Sequence, residues 1–251
     1  MNTQNSLRII IYAPALVGED HRTIDSVRGM EKALPGLRLE WRLSKSGRPI
    51  ALPHRDAWLI EEIEDGGFPI MCNGDESYPV TVTGRERAGF FSPVGQAQFE
   101  VHAELPLDAA VIAAAAEMLE RVAEGARAFW GQATPDAAAL DIAYQTAPTL
   151  RGPPSPRRGL PALKLFEHIR APEIPYYLGW LNYWSAAAAQ AIGFPDPARD
   201  AELLSRAWRT ATGGWVVQLT DTPLDLDNPA HLDALKLAYE RFPQIGGRDS
   251  P

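Results

Sequence analysis

Along the chain, apolar and polar positions change period in a way that marks out the elements. "LRIIIYAPA" (7–15) is a short β-branched run stopped by proline and predicts a buried first strand. In "DHRTIDSVRGMEKALPG", Ile24, Val27, Met30 and Leu34 recur at helical spacing, with Thr23 or Asp20 as the cap and Pro35-Gly36 as the stop. "LRLEWRLS" (37–44) alternates, with Leu37, Leu39, Trp41 and Leu43 on one side and Arg38, Glu40 and Arg42 on the other, the pattern of a half-buried strand. The opening therefore predicts β-α-β. A short helix follows in "PHRDAWLIEEIEDGG" (53–67), with Trp58, Leu59 and Ile63 turned inward. "FPIMCNG" and "YPVTVTG" predict two short strands joined by an "NGDES" turn, and "AQFEVHAEL" (97–105) alternates again.

"LDAAVIAAAAEMLERVAEGARAFWG" carries the strongest helical stripe: Ile112, Ala115, Leu119, Val122, Ala126 and Phe129, capped by Asp108 and closed by Gly131. Alanine along that face predicts close approach of another element. Between 146 and 161, "TAPTLRGPPSPRRGLP" holds five prolines and three arginines without periodicity, and predicts a connection. Beyond it come an aromatic segment, a short helix "SAAAAQAIG" and a helix begun by "PDP", with Asp196 as cap and Pro197 in the first turn. A strand "GWVVQLT" (214–220) and a closing helix "NPAHLDALKLAYERF" complete the chain, the latter with Leu232, Leu235, Tyr239 and Phe242 inward. The fold class is α+β: a mostly antiparallel sheet flanked by helices. Its parts are an N-terminal half (1–145), the Pro-rich connecting segment (146–161) and a C-terminal half (162–251), expected to form one compact domain.

Composition narrows the function classes. The single cysteine, Cys72, excludes an intramolecular disulfide and a multi-cysteine zinc site. The N-terminus lacks the pattern of a secretory leader, and "AAVIAAAA" (109–116) is far below the span of a bilayer, so a cytoplasmic protein without a membrane partner is expected. A net charge of −8 disfavours nucleic acid as a direct partner and fits a basic protein partner.

Candidate chemistry is sparse. "EVHAE" places Glu100, His102 and Glu104 on one face, a donor set a divalent ion could use. The alternation with Phe99, Val101, Ala103 and Leu105 reads first as the solvent side of an antiparallel strand. "DLDNP" (225–229) starts like a calcium loop but lacks its sixth-position glycine and its twelfth-position glutamate; Asn228 reads as a helix cap. The other histidines are scattered, and no nucleophile set or phosphate loop can be named, so no catalytic residue, metal or cofactor is expected. The acidic clusters are the better candidates. "EEIED" contributes Glu61, Glu62, Glu64 and Asp65, and "NGDES" adds Asp75 and Glu76. Acids at a helix C-terminus oppose its dipole, so helix stability does not explain them, and these six are the candidate partner-binding residues.

"YYLGWLNYWS" (176–185) packs five aromatic rings into ten positions. As a strand it puts Tyr176, Leu178, Trp180, Asn182 and Trp184 on one face and Tyr177, Gly179, Leu181 and Tyr183 on the other. Both faces are apolar, which predicts core. This segment, continued as "EIPYYLGWLNYWSAAAAQAIGFPD" and followed by "GGWVVQLTDTPLDLDNPAHLDALKLAYERFPQIGG", resembles the C-terminal half of bacterial immunity proteins of polymorphic toxin systems. The resemblance is to the immunity-protein-52 family and, more loosely, to type VI secretion immunity proteins. It implies a cytosolic antidote that binds and blocks a cognate toxin domain, often a nuclease. An acidic protein suits the basic cleft such a nuclease needs. The family defines no catalytic residues to carry over. The rival expectation is an enzyme acting on a small molecule, with a pocket near Trp180 and Trp184 and with His102 reactive.

Overall fold

The computed structural model describes residues 5–17, 20–62, 66–147 and 152–248. The N-terminal half runs β1 (Ser6–Pro14), α1 (Arg22–Ala33), β2 (Trp41–Leu43), β3 (Pro49–Ala51), α2 (Arg55–Glu61), β4 (Gly67–Cys72), β5 (Thr81–Arg87), β6 (Gln98–Pro106), α3 (Ala109–Ala126), β7 (Trp130–Pro135) and α4 (Asp136–Thr146). The C-terminal half adds β8 (Leu181–Trp184), α5 (Ala186–Ala191), α6 (Ala201–Leu204), β9 (Ala207–Arg209), β10 (Trp215–Gln218) and α7 (Pro229–Arg241). All ten strands form one sheet in the order β3-β2-β4-β5-β6-β1-β7-β8-β10-β9. Every neighbouring pair is antiparallel. The fold is thus the expected antiparallel α+β sheet with helices, and the two halves share it through β7 and β8.

Period-two alternation sets the two faces. Leu7, Ile9, Ile11 and Ala13 of β1 are buried in register with Leu105, Ala103, Val101 and Phe99 of β6. Gly131 stands beside Ile11 and beside Tyr183, whose hydroxyl donates to Glu124 Oε1 of α3 at 2.8 Å. This is therefore the face that α3 covers, with α1 packed beside it. Close approach of α1 to α3 falls beside the expected alanine stripe rather than along it: a Cβ on Gly29 of α1 would stand 2.6 Å from Arg121 O, and one on Gly125 of α3 would stand 2.6 Å from Asp25 O. Tyr12, Glu100, Trp130, Asn182 and Trp184 lie on the opposite face. There the C-terminal half folds back: Trp184 packs on Phe194 and Phe242, and Phe166 lies against Tyr12 and Trp130. The Pro-rich connection is pinned where it is described. Arg158 donates to Asp141 Oδ2 (2.9 Å) and Leu226 O (3.0 Å), and Gln145 Nε2 donates to Pro156 O (2.7 Å).

Several boundaries differ from expectation, each for a local reason. The strand at 37–44 shortens to β2, because Leu37 and Leu39 are buried ahead of the sheet. Asp108 does cap α3, its carboxylate accepting from Val111 N at 2.9 Å, but the helix stops at Ala126 on Arg127, whose φ of 52° is left-handed. Gly131 lies instead within β7, a strand the helical spacing concealed. Helix α4, before the connection, and strand β9 were not anticipated. The "PDP" segment forms a turn, with α6 starting four residues later at Ala201. Ser185 and Asn228 cap α5 and α7 as their side-chain chemistry predicts.

Gly→Ala in an ordinary helix interior stabilises by about 1 kcal/mol. At Gly29 or Gly125 the sign should reverse, because the added methyl meets backbone and forces α1 and α3 apart. Each alanine variant should lose ~1–3 kcal/mol in urea unfolding, and a gain at either would show that the helices are not in contact there.

Candidate partner-binding surface

The face opposite α1 and α3 is covered over β7, β8 and β10 by the C-terminal half, whereas over β5 and β6 it is partly open. There Thr81 and Thr83 are half-buried, Glu104 is exposed, and the Arg85 and His102 side chains are 63% and 31% exposed. Glu100 stands at the border between the covered and open parts, with 0% exposure. Its Oε2 accepts from Arg85 Nε and Nη2 at 3.2 Å each and lies 3.2 Å from His102 Nε2, while Oε1 pairs with Arg87. Burial alone would raise this carboxyl, but the His102 hydrogen bond and the Arg87 charge outweigh it and hold it below the usual range. Tyr12, in register with Glu100, is pushed the other way by burial and then by the Glu100 charge, so its hydroxyl stays protonated. Glu100 is therefore not on the solvent side of its strand, as alternation alone suggested. Among the described residues, no group of three His, Cys, Asp or Glu side chains is placed to hold a metal ion.

Arg87 carries this buried charge outward. Its guanidinium lies over the Phe166 ring, 4.8 Å from the centroid, and its Nη1 donates to Phe91 O at 3.2 Å. One ion pair thus ties β5 and β6 to the 88–96 loop and to the returning C-terminal half. The loop itself, "AGFFSPVGQ", exposes Phe90, Phe91 and Val94. Sequence reading passed over it, although two adjacent phenylalanines bounded by glycines in a turn were a visible signal.

The six acidic candidates are not brought together. Glu61 is the exposed last residue of α2, Glu62 is the half-buried C-cap that follows it, and Glu64 and Asp65 lie outside the described residues. Asp75 and Glu76 are exposed in the turn at the far end of β4, and a six-residue strand spans about 20 Å. Asp75 also has a structural task. Its Oδ1 accepts from Ser77 N (2.8 Å), Ser77 Oγ (2.7 Å) and Tyr78 N (3.2 Å), and the Ser77 bonds hold its carboxyl below the ordinary value. Glu76 and Cys72 border a cleft of about 360 Å³ beside this turn, together with Leu43, Pro49 and Thr81.

Nor does the structure bring together the alternative pocket. Trp180 and Trp184 are core, 2% and 1% exposed, and the Trp180 indole donates to Thr220 O at 2.9 Å. His102 sits three strands from Asn182, about 14 Å away at ordinary strand spacing. The aromatic segment is core, as its two apolar faces predicted.

The whole chain can now be placed among known proteins. Residues 18–250 match the family described as "Domain of unknown function (DUF5953)", and the chain belongs to that family. It is DUF5953, not the immunity-protein-52 family, that is shown. Among solved structures, the Pseudomonas aeruginosa T6SS protein PA0821 shares the fold, with a TM-score of 0.57, 15% identity, and coverage of 96% of this chain and 77% of that one. No curated protein matches the chain. Among the described residues, no helix is long and apolar enough to cross a membrane.

Because the Glu100 carboxyl is depressed in the folded state, the stability it adds is complete above the unfolded value, about 4.3, and is lost as pH falls through the folded one. Glu100→Gln should therefore cost about 3 kcal/mol at pH 7 and progressively less below pH ~4. Urea unfolding of both proteins from pH 7 to pH 3 reads this, and a gap that stays constant with pH would refute the buried charge.

Proposed function

We propose that the protein is a cytoplasmic immunity protein: it binds a cognate toxin domain stoichiometrically, a basic nuclease domain in the favoured reading, and neutralises it without a cofactor. The observation that carries this reading is the likeness of fold, over 96% of the chain, to a protein described as belonging to the T6SS. A protein of that system and fold is what the resemblance to secretion-system immunity proteins leads one to expect.

Charge supports it. The net charge of −8 makes an attractive field for a basic cleft, and such steering raises association toward ~10⁸ M⁻¹s⁻¹ at low salt. Glu61 and Glu62 at one end of β4, and Asp75 and Glu76 at the other, contribute separate lobes of that field rather than one patch. Glu64 and Asp65 follow Glu61 and Glu62 in the sequence and lie outside the described residues.

Co-expression with a toxin domain encoded by a reading frame adjoining this chain's gene is the experiment that tests the reading. Survival should require this protein, and growth arrest in its presence would end the proposal. With that toxin, reversing Glu61, Glu62 and Glu64 to lysine should slow association about tenfold at low salt and flatten its salt dependence. Unchanged stopped-flow kinetics would remove these residues from the interface.

A further inference from the structure

Among the described residues, His231 is the histidine with a partner at each ring nitrogen. It stands in the first turn of α7, just past the Asn228 cap, and turns back onto the loop 221–228. Its Nδ1 accepts from the Asp225 amide at 3.1 Å, and its Nε2 lies 3.4 Å from Thr222 Oγ1. An imidazole nitrogen that accepts a hydrogen bond carries no proton. The geometry therefore defines one state of the ring: neutral, with its proton on Nε2 and directed at the Thr222 hydroxyl.

The loop held in this way is the wall of a cleft. Residues 223–227 line it together with Leu107, Ala138, Asp141 and Arg158, around a volume of about 440 Å³. Two kinds of contact keep the wall in place. Leu224 and Leu226 are buried, and Arg158 donates from Nη1 to Leu226 O at 3.0 Å while its Nη2 pairs with Asp227 at 2.7 Å. Asp225 is tied differently. Its Oδ1 accepts from Asp227 N at 2.9 Å and its carbonyl from Asn228 N at 3.2 Å, both close by in sequence, so the amide bond to His231 is what joins it to the body of α7.

Proton uptake at Nδ1 replaces that acceptor with a donor facing another donor, and it places a cation in the first turn of a helix, where the backbone amides already carry partial positive charge. Charged groups surround the ring on every side. Asp221, Asp225 and Asp227 come from the loop and Asp233 from α7; against them stand Lys236 of α7, Arg206 beside Asp221, and Arg158, which Asp141 of α4 also meets. These charges bear on how readily the ring takes up a proton. The loss of the acceptor fixes the structural result whichever way they sum.

We infer that His231 is a protonation latch on this wall: the neutral imidazole holds Asp225 against the first turn of α7, and the protonated one releases it and opens the middle of the loop. Arg158 and the two buried leucines stay in place, so the change is a local opening of the cleft and not an unfolding. Imidazole is the side chain whose charge ordinarily changes between about pH 8 and pH 5, which puts the latch in the range a cell can reach. The device is independent of the immunity reading.

Nuclear magnetic resonance of the full chain tests it. At about pH 7.5 the His231 ring should show Nδ1 without a proton, and on passing to about pH 5 the Asp225 amide should lose at least ~5-fold of its protection from exchange, after correction for the intrinsic effect of pH. Neither His231→Asn nor His231→Ala should respond to pH in this way: the first, whose Oδ1 takes the place of Nδ1, should stay protected at both values, and the second should be unprotected at both. A proton on Nδ1 at the higher pH overturns the inference. So does a wild-type protection that pH leaves unchanged, or a loss on acidification that either variant reproduces.

Discussion

Strand β7 is the constraint on which the rest of the structure depends. It pairs with β1 on one side and β8 on the other, so without it the sheet parts into a six-stranded piece and a three-stranded one. All six of its residues are buried. Its composition, "WGQATP", is poor in strand formers, and the reason lies in what it touches. Gly131 leaves room for Ile11 on the α3 side. On the other side Thr134 accepts from Trp180 N at 3.2 Å, and Asn182 of β8 closes the same turn through Gly179 N and O. Polar side chains in the middle of a sheet are tolerable because each meets backbone the returning chain would otherwise leave unpaired. Trp130, stacked on Tyr12 with centroids 4.2 Å apart, fills the space between the halves.

The same facts explain what could be read in advance. Strands β1 and β6 and helices α1, α3 and α7 were legible because one face of each is buried by near neighbours, and their periodicity records it. Strand β7 was not: Ala126 and Phe129 continue the stripe of α3, and only the left-handed Arg127 breaks it. Glu100 was misread for a related reason. Alternation shows which residues avoid the α3 face, but whether the opposite face meets water depends on Phe166 and Tyr176, more than sixty residues away. A long-range return of the chain leaves no local period. The aromatic segment 176–185 was legible as core because apolar residues on both faces fit no half-buried strand.

Pairing also decides where the excess acid lies. Asp136 is answered by Arg8, Asp200 by Arg241, Asp20 by Arg22 and Glu31 by Arg55, and in each the carboxylate is buried or nearly so. Ion pairs cancel charge one for one, so they leave the surplus of eight negative charges untouched. That surplus resides with unpaired acids, and Glu61, Asp75, Glu76, Glu86, Glu104 and Glu167 are all exposed. Arg8, Arg22, Arg55 and Arg241 thus serve the frame, each holding a carboxylate that the fold buries.

The Glu100–Arg87 pair joins these two themes. A buried carboxylate is a poor source of stability, since its desolvation offsets much of the Coulombic gain. What it supplies here is position. Glu100 holds the Arg87 guanidinium where it meets both Phe91 O and the Phe166 ring, so one pair links the 88–96 loop to the returning C-terminal half. The exposed rings of Phe90 and Phe91 beyond that pair stand where the 88–96 loop meets the returning C-terminal half.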